Sequence, residues 1–261
     1  KTTLAFTLAK ATNCSFQRIQ FTSDMLPTDI IGVSIYNPDT KNFDFKQGPI
    51  FANIVLADEI NRTSPKTQSA LLEAMNERRV SVDRKTYTLP EPFMVIATQN
   101  PIEYHGTFPL PESQIDRFMM HIKLGYPETA YEKQALVGQS SLEFLEDMQP
   151  VITGDEILRM QKMVDAVKVD GSLLDYLMDV INATRNDEKI RLGASTRGAQ
   201  FLLKAAKANA FYEGRDYVVP EDIKDLAPTV LGHRLILKAR TSIYDAELIM
   251  KEILERISVP V

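Results

Sequence analysis

Cysteine, histidine and tryptophan are nearly absent from this sequence, which holds one Cys, three His and no Trp in 261 residues. The single Cys14 excludes an internal disulfide framework and fits a reducing compartment, so the chain reads as cytoplasmic. With no base beside it, Cys14 reads as an inert thiol. His105, His121 and His233 lack ligand spacing, which argues against a dedicated zinc site. No apolar run approaches ~18 residues, so no membrane span is expected. Thirty Lys+Arg against thirty-five Asp+Glu give a net charge of −5. That balance excludes a bulk basic footprint for nucleic acid and leaves room only for a local patch. The chain opens on Lys1-Thr2-Thr3 without Met and is expected to be a fragment.

What is present is a chain with 44% hydrophobic and 25% charged residues, ordinary for a globular protein. At ~150 residues per domain, its length predicts one or two domains. Residues 2–12 carry helical periodicity, and Phe16 to Phe21 alternates like a strand. A hairpin is expected over 35–46, turning at Asn37-Pro38-Asp39-Thr40. The apolar run 53–57 ends in Asp58-Glu59, the pattern of a buried strand with acids at its tip. Residues 65–78 read as a helix opened by Pro65, and 80–89 as a second hairpin around Asp83-Arg84-Lys85. Phe93 to Thr98 is a further buried strand, stopped by Pro101, and Met119 to Leu124 another. Alternating strands and helices predict a parallel sheet covered on both faces. After about residue 128 the strands are expected to stop. Helical periodicity fills 130–137, 153–167, 172–185, 196–212, 220–230 and 245–257, with Met160, Met163, Met178 and Met250 as core filler. The expected division is a core over 1–128, a linker over 129–149 and an all-helical domain over 150–261.

Several residues carry chemistry. In open parallel sheets ligands bind beyond the carboxyl ends of strands. There an Asp58 can hold Mg²⁺ and a Glu59 can polarise water, though Asp58 could equally cap a helix. Asn100, at the next strand tip, could orient the same water or simply start a turn. Lys1-Thr2 at a helix start matches the end of a phosphate loop, although taken alone a solvated terminal Lys accounts for it better. Arg117, in Asp116-Arg117-Phe118, could reach a neighbouring subunit's phosphate or form a surface pair with Asp116. Arg197 lies in the first turn of a helix capped by Ser195, where the positive helix end disfavours a cation. An anionic partner or a salt bridge would each account for it.

The order of these segments is more specific than any one of them. Gly48-Pro49-Ile50-Phe51-Ala52-Asn53-Ile54-Val55-Leu56-Ala57-Asp58-Glu59-Ile60-Asn61-Arg62 closely resembles the MoxR family of AAA+ ATPases. So do residues 65–75, Ala97-Thr98-Gln99-Asn100-Pro101 and residues 109–118. Arg191 to Arg197 and Asp216 to Ile223 fit the family's lid. The resemblance covers almost the whole chain. It implies an α/β fold: an AAA+ three-layer αβα core on a parallel sheet, then a small all-α lid. By the same resemblance Lys1, Thr2 and Thr3 close the Walker A motif, whose glycines and preceding strand are missing here. Asp58 and Glu59 are the Walker B acids, Asn100 is sensor 1, Arg117 the arginine finger and Arg197 the sensor 2 arginine. ATP and Mg²⁺ are the implied cofactors, with Thr2 and Asp58 on the metal. Arg62 is a weaker candidate for a second interface arginine. The hairpin at 80–89 resembles the pre-sensor-1 hairpin, and residues 28–46 the insertion in helix 2. Residues 138–147 and 238–245 are short beside the family pattern. The implied activity is ATP hydrolysis by a ring, usually a hexamer. Such rings act as chaperone-like remodellers of protein clients, often beside a von Willebrand factor A domain partner. Two alternatives stand beside it. One is a nucleic-acid motor using the basic cluster Arg78, Arg79, Arg84 and Lys85, which the acidic balance disfavours. The other is a nucleotide-binding scaffold without turnover.

Overall fold

A computed structural model describes residues 1–99, 108–137, 145, 147–238 and 243–260, with only the backbone at 134, 135 and 243–245. The chain forms two compact units. The first comprises residues 1–110 and 124–158, the second 111–123 and 159–261.

The first unit is built on the strand β4 (Ile54–Asp58), with all four residues from Ile54 to Ala57 buried. A strand with no polar position must be covered on both faces, which is the environment of a central parallel strand. β4 pairs in parallel with β1 (Phe16–Gln20) on one side and β7 (Met94–Ala97) on the other. Helix α1 (Thr2–Ala11) buries Ala5 and Ala9, small residues that allow close helix packing, and the short α2 (Pro27–Ile31) buries Ile30. Helix α3 (Pro65–Glu77) starts as the sequence predicts: Pro65 follows the N-cap Ser64, whose side chain accepts the Thr67 N–H.

Two antiparallel hairpins stand on this unit. In β2 (Gly32–Asn37) and β3 (Asn42–Gln47), Asn37 Oδ1 accepts the Asp39 N–H at 3.0 Å, the Asx-turn chemistry expected there. Gly32 has φ +111°, and a Cβ there would lie 2.2 Å from the Lys46 carbonyl oxygen, so only glycine fits. β5 (Arg79–Val82) and β6 (Lys85–Thr88) turn on Asp83 and Arg84, both at positive φ. The Phe45 and Tyr87 rings stack at 4.3 Å and tie one hairpin to the other.

The second unit begins with the short helix α4 (Glu112–Ile115). Its framework is α7 (Gly171–Asn186), α8 (Thr196–Tyr212), α9 (Pro220–Leu231) and α10 (Ile243–Arg256). Leu177, Val180, Ile181, Leu202, Ala206, Ile223, Leu231 and Met250 fill its core. Helices α5 (Thr129–Val137) and α6 (Gly154–Asp165) also fall where periodicity predicts them.

Three expectations are corrected. Met119 to Leu124 is not a strand. Its backbone is taken up by the second unit instead: Met119 O accepts from Arg234, and the His121 N–H donates to Thr229 O. Ile122 and Leu124 are exposed. Strands also do not stop at residue 128, because β8 (Ile190–Leu192) pairs antiparallel with β9 (Ile236–Leu237). Such short strands are too brief to register as alternation. Of the four methionines expected in the core, only Met250 is buried; Met160, Met163 and Met178 are 42%, 56% and 41% exposed.

His233 is largely buried in the second unit. Burial, then the adjacent Arg234 charge, push its pKa down to about 4. Arg234 Nη1 lies 2.8 Å from its Nε2, and a like charge at that distance disfavours a protonated ring. The ring centroids of His121 and His233 are 6.2 Å apart, and Lys123 pairs with Glu247 at 2.8 Å. A depressed histidine binds fewer protons folded than unfolded. Stability is therefore full above the unfolded pKa of 6.5 and is lost as pH falls toward 4, by up to ~3 kcal/mol. Denaturant titrations between pH 7.5 and 4 will show this slope, and His233→Gln will flatten it; an unchanged slope in the variant rejects the assignment.

Candidate functional site

The buried run of β4 leaves its apolar environment at Asp58 and Glu59. Glu59 turns the chain there with φ 57° and ψ 47°, a left-handed conformation uncommon for a residue with a side chain. The turn is held from the neighbouring strand. Thr98, just past β7, donates its hydroxyl to Asp58 Oδ1 at 2.5 Å and accepts the Glu59 N–H at 2.9 Å. The Ile60 N–H then donates to Thr98 O at 3.1 Å. One threonine thus fixes both acids, one by its carboxylate and the other by its backbone.

β1 supplies the remaining partners. Its side chains alternate, so Arg18 and Gln20 share a face. Gln20 is in register with Asp58. Arg18 binds Asp58 Oδ2 through Nε at 3.1 Å and Nη2 at 2.6 Å. Gln20 Nε2 donates to Glu59 Oε2 at 3.0 Å, and Arg62 Nη1 reaches the same oxygen at 2.9 Å. Burial raises the Asp58 pKa, but the Thr98 bond, Arg18 and the Lys1 charge outweigh it and hold the carboxyl below its ordinary value. Asp58 is therefore a carboxylate at neutral pH.

Behind the acids, Gln68 is fully buried on α3. Its Nε2 donates to Ile60 O, Thr63 O and Phe108 O at 3.2, 3.2 and 3.0 Å. The segment after Glu59 is thereby pinned to a helix. Lys1 is the N-cap of α1 and gives no side-chain cap bond; the first turn, which begins with Thr2 and Thr3, has no acidic residue. That positive helix end meets no anion of its own first turn.

The structure places Asp58 and Glu59 side by side, with the Lys1 charge acting on Asp58. Asn100 and His105 lie outside the described residues, as do residues 138–144 within the segment read as short and residues 239–242 within the other. Arg62, read from sequence as an interface or solvated residue, binds Glu59. Arg117 and Arg197 both belong to the second unit. Neither has an ion-pair partner among the described residues, and Asp116 pairs with Arg234 rather than with Arg117. Arg197 stands in the first turn of α8, whose cap Ser195 accepts the Gly198 N–H at 3.0 Å, as expected. In the basic hairpin, Arg78 faces Glu91 at 3.6 Å and Arg79 faces Glu77 at 3.1 Å, so half of that cluster is neutralised locally. Arg18, Gln20 and Thr98 were missed by sequence reasoning. The available signal was two polar residues, Arg18 and Gln20, on one face of β1 beside the buried Ile19.

Residues 1–120 match the ATPase family associated with various cellular activities (AAA), and residues 182–253 match the AAA lid domain. The chain is 48% identical over 263 residues to the uncharacterized protein YeaC of Bacillus subtilis, covering all of this chain and 82% of that protein. It is 41% identical over 276 residues to Chaperone MoxR1 of Mycobacterium tuberculosis, covering all of this chain and 71% of that one. A crystal structure from Cytophaga hutchinsonii, provisionally assigned as an ATPase, superposes with TM-score 0.89 at 42% identity. It covers all of this chain and 82% of its own. No helix among the described residues is long and apolar enough to cross a membrane. With an acid-tipped central strand, a helical second unit and these relatives, the chain belongs to the MoxR family of AAA+ ATPases.

Proposed function

We propose that this chain is a Mg²⁺- and ATP-dependent ring ATPase, hexameric and cytoplasmic, that remodels or activates protein clients beside a von Willebrand factor A domain partner. The observation that carries the reading is the paired acid tip, with Asp58 and Glu59 leaving the buried strand side by side and held by Thr98. The residues fit a metal-bound triphosphate. Asp58 is an ionised oxygen donor, and the N-terminus of α1 offers uncapped N–H groups without a competing acid. Asp58 and Thr2 would hold the Mg²⁺, which when bound neutralises charge on the phosphate oxygens.

This chain's residues then divide the work. Lys1, with Thr2 and Thr3, binds phosphate. Glu59 orients and polarises the attacking water, and Asn100 holds that water. Arg117 acts in trans on the neighbouring subunit's phosphates, and Arg197 senses the γ-phosphate. Glu59 Oε2 accepts from Gln20 and Arg62, and these two donors fix the orientation of the carboxylate.

Glu59→Gln will lower kcat by ~10²-fold or more, as expected for loss of a general base, while fluorescent ATP-analogue binding persists. Undiminished hydrolysis overturns the reading, and a wild-type chain that binds ATP without turnover with or without partner leaves the scaffold alternative. Thr98→Val keeps the shape of the side chain but deprives Asp58 of a donor and the Glu59 N–H of its acceptor. It will cost ~1–3 kcal/mol in urea unfolding and reduce turnover, with Thr98→Ser restoring both. A Thr98→Val protein as stable and as active as wild type would show that the hydroxyl is dispensable.

A further inference from the structure

The turn that carries Arg117 is fastened to the second unit by the most buried arginine side chain among its ion pairs. The Arg234 side chain is 1% exposed. Its Nε donates to Asp116 Oδ1 at 3.0 Å, and its Nη2 to the Asp116 carbonyl at 3.3 Å and to the Phe118 carbonyl. Nη1 donates to Met119 O at 3.2 Å and to Val230 O. The guanidinium therefore reads the backbone on both sides of Arg117, and a planar fork of five donors is the side chain suited to that. Asp116 is gripped a second time by Ser195 Oγ, at 3.0 and 3.1 Å. Ser195 is also the cap of α8, where Arg197 occupies the first turn. Arg234 crosses α8 at Gly198, where an added Cβ would lie 3.0 Å from its Cδ, and sits over the Phe201 ring at 5.1 Å. Arg117 itself is bonded to none of this. Its Nε is shielded from solvent and has no hydrogen-bond acceptor among the described residues.

We propose that Asp116 and Arg234 are positioning residues that mount the Arg117 turn beside the α8 N-terminus and so fix where Arg117 is aimed. The inference rests on Arg117 acting in trans, and it adds what aims that arginine. Breaking the mount leaves the chain's own nucleotide site intact and misaims only the arginine it lends to its neighbour. Misplacement by about 1 Å can cost ~10²-fold in rate.

The test is subunit mixing with the full-length chain. Arg234→Gln alone is expected to bind a fluorescent ATP analogue as wild type does and to lose ~10²-fold in kcat. Mixed with Glu59→Gln, which lacks its own water-polarising acid but keeps a well-aimed Arg117, it should regain activity at its own sites. Arg117→Ala mixed with Glu59→Gln is the reference. If that pair fails to complement, or Arg117→Ala is fully active, the trans role of Arg117 is wrong whatever Arg234 does. If the reference pair complements and the Arg234→Gln pair does not, the positioning role is overturned. Full activity of Arg234→Gln alone overturns it as well. Asp116→Asn, which keeps the carbonyl bonds of Arg234, is carried through the same mixing and decides the matter if Arg234→Gln unfolds. Unfolding of both would make the pair a requirement of the fold and would also overturn the proposal.

Discussion

Four consecutive buried residues, Ile54 to Ala57, impose the constraint from which the rest of the first unit follows. A backbone buried on both faces must find every hydrogen bond within the sheet, so β4 has to be a central strand flanked by β1 and β7. It also has to end abruptly, because Asp58 and Glu59 cannot follow it into the core. Their emergence at the strand tip is thus a consequence of burying what precedes them. The left-handed turn at Glu59 carries backbone strain, which persists only where neighbours over-determine it. Thr98 and the Gln68 clamp on Ile60 and Thr63 are those neighbours. Stability and site geometry are coupled here because the bonds that relieve the turn are the ones that aim the acids.

How much of this was legible in the sequence follows from the range over which each interaction acts. The α3 helix could be read because its signals are local: Ser64 and Pro65 at the start, apolar spacing through Leu71 and Leu72. β4 could be read because its burial is a run. Asp58 and Glu59 could be read because they follow that run directly. Arg18, Gln20 and Thr98 could not, because their roles arise only when strands about 40 residues apart come into register. The Asp116–Arg234 pair spans 118 residues, and no periodicity encodes it. Met119 to Leu124 looked like a strand because local pattern shows apolar residues without showing where their backbone bonds go. Those bonds go to Arg234 and Thr229.

Two arginine–aspartate pairs in the chain have the same chemistry and opposite physical situations. Arg18 is 48% exposed and Asp58 16% exposed, whereas the Arg234 side chain is 1% exposed against 24% for Asp116. An exposed arginine loses little on release, because water re-solvates it and such pairs contribute about 0–1 kcal/mol. A buried arginine stripped of its partner leaves an uncompensated charge, at ~3–5 kcal/mol. The first pair can therefore exchange its cation, as the metal-holding role proposed for Asp58 would need. The second stays closed under thermal fluctuation, because opening it costs ~3–5 kcal/mol. The exposed pair sits at the acid that would take part in chemistry, and the buried pair sits beside the arginine proposed to act in trans. That allocation follows from the energetics of burial: a site that cycles between partners needs its charges near water, and a mount that never lets go needs them away from it.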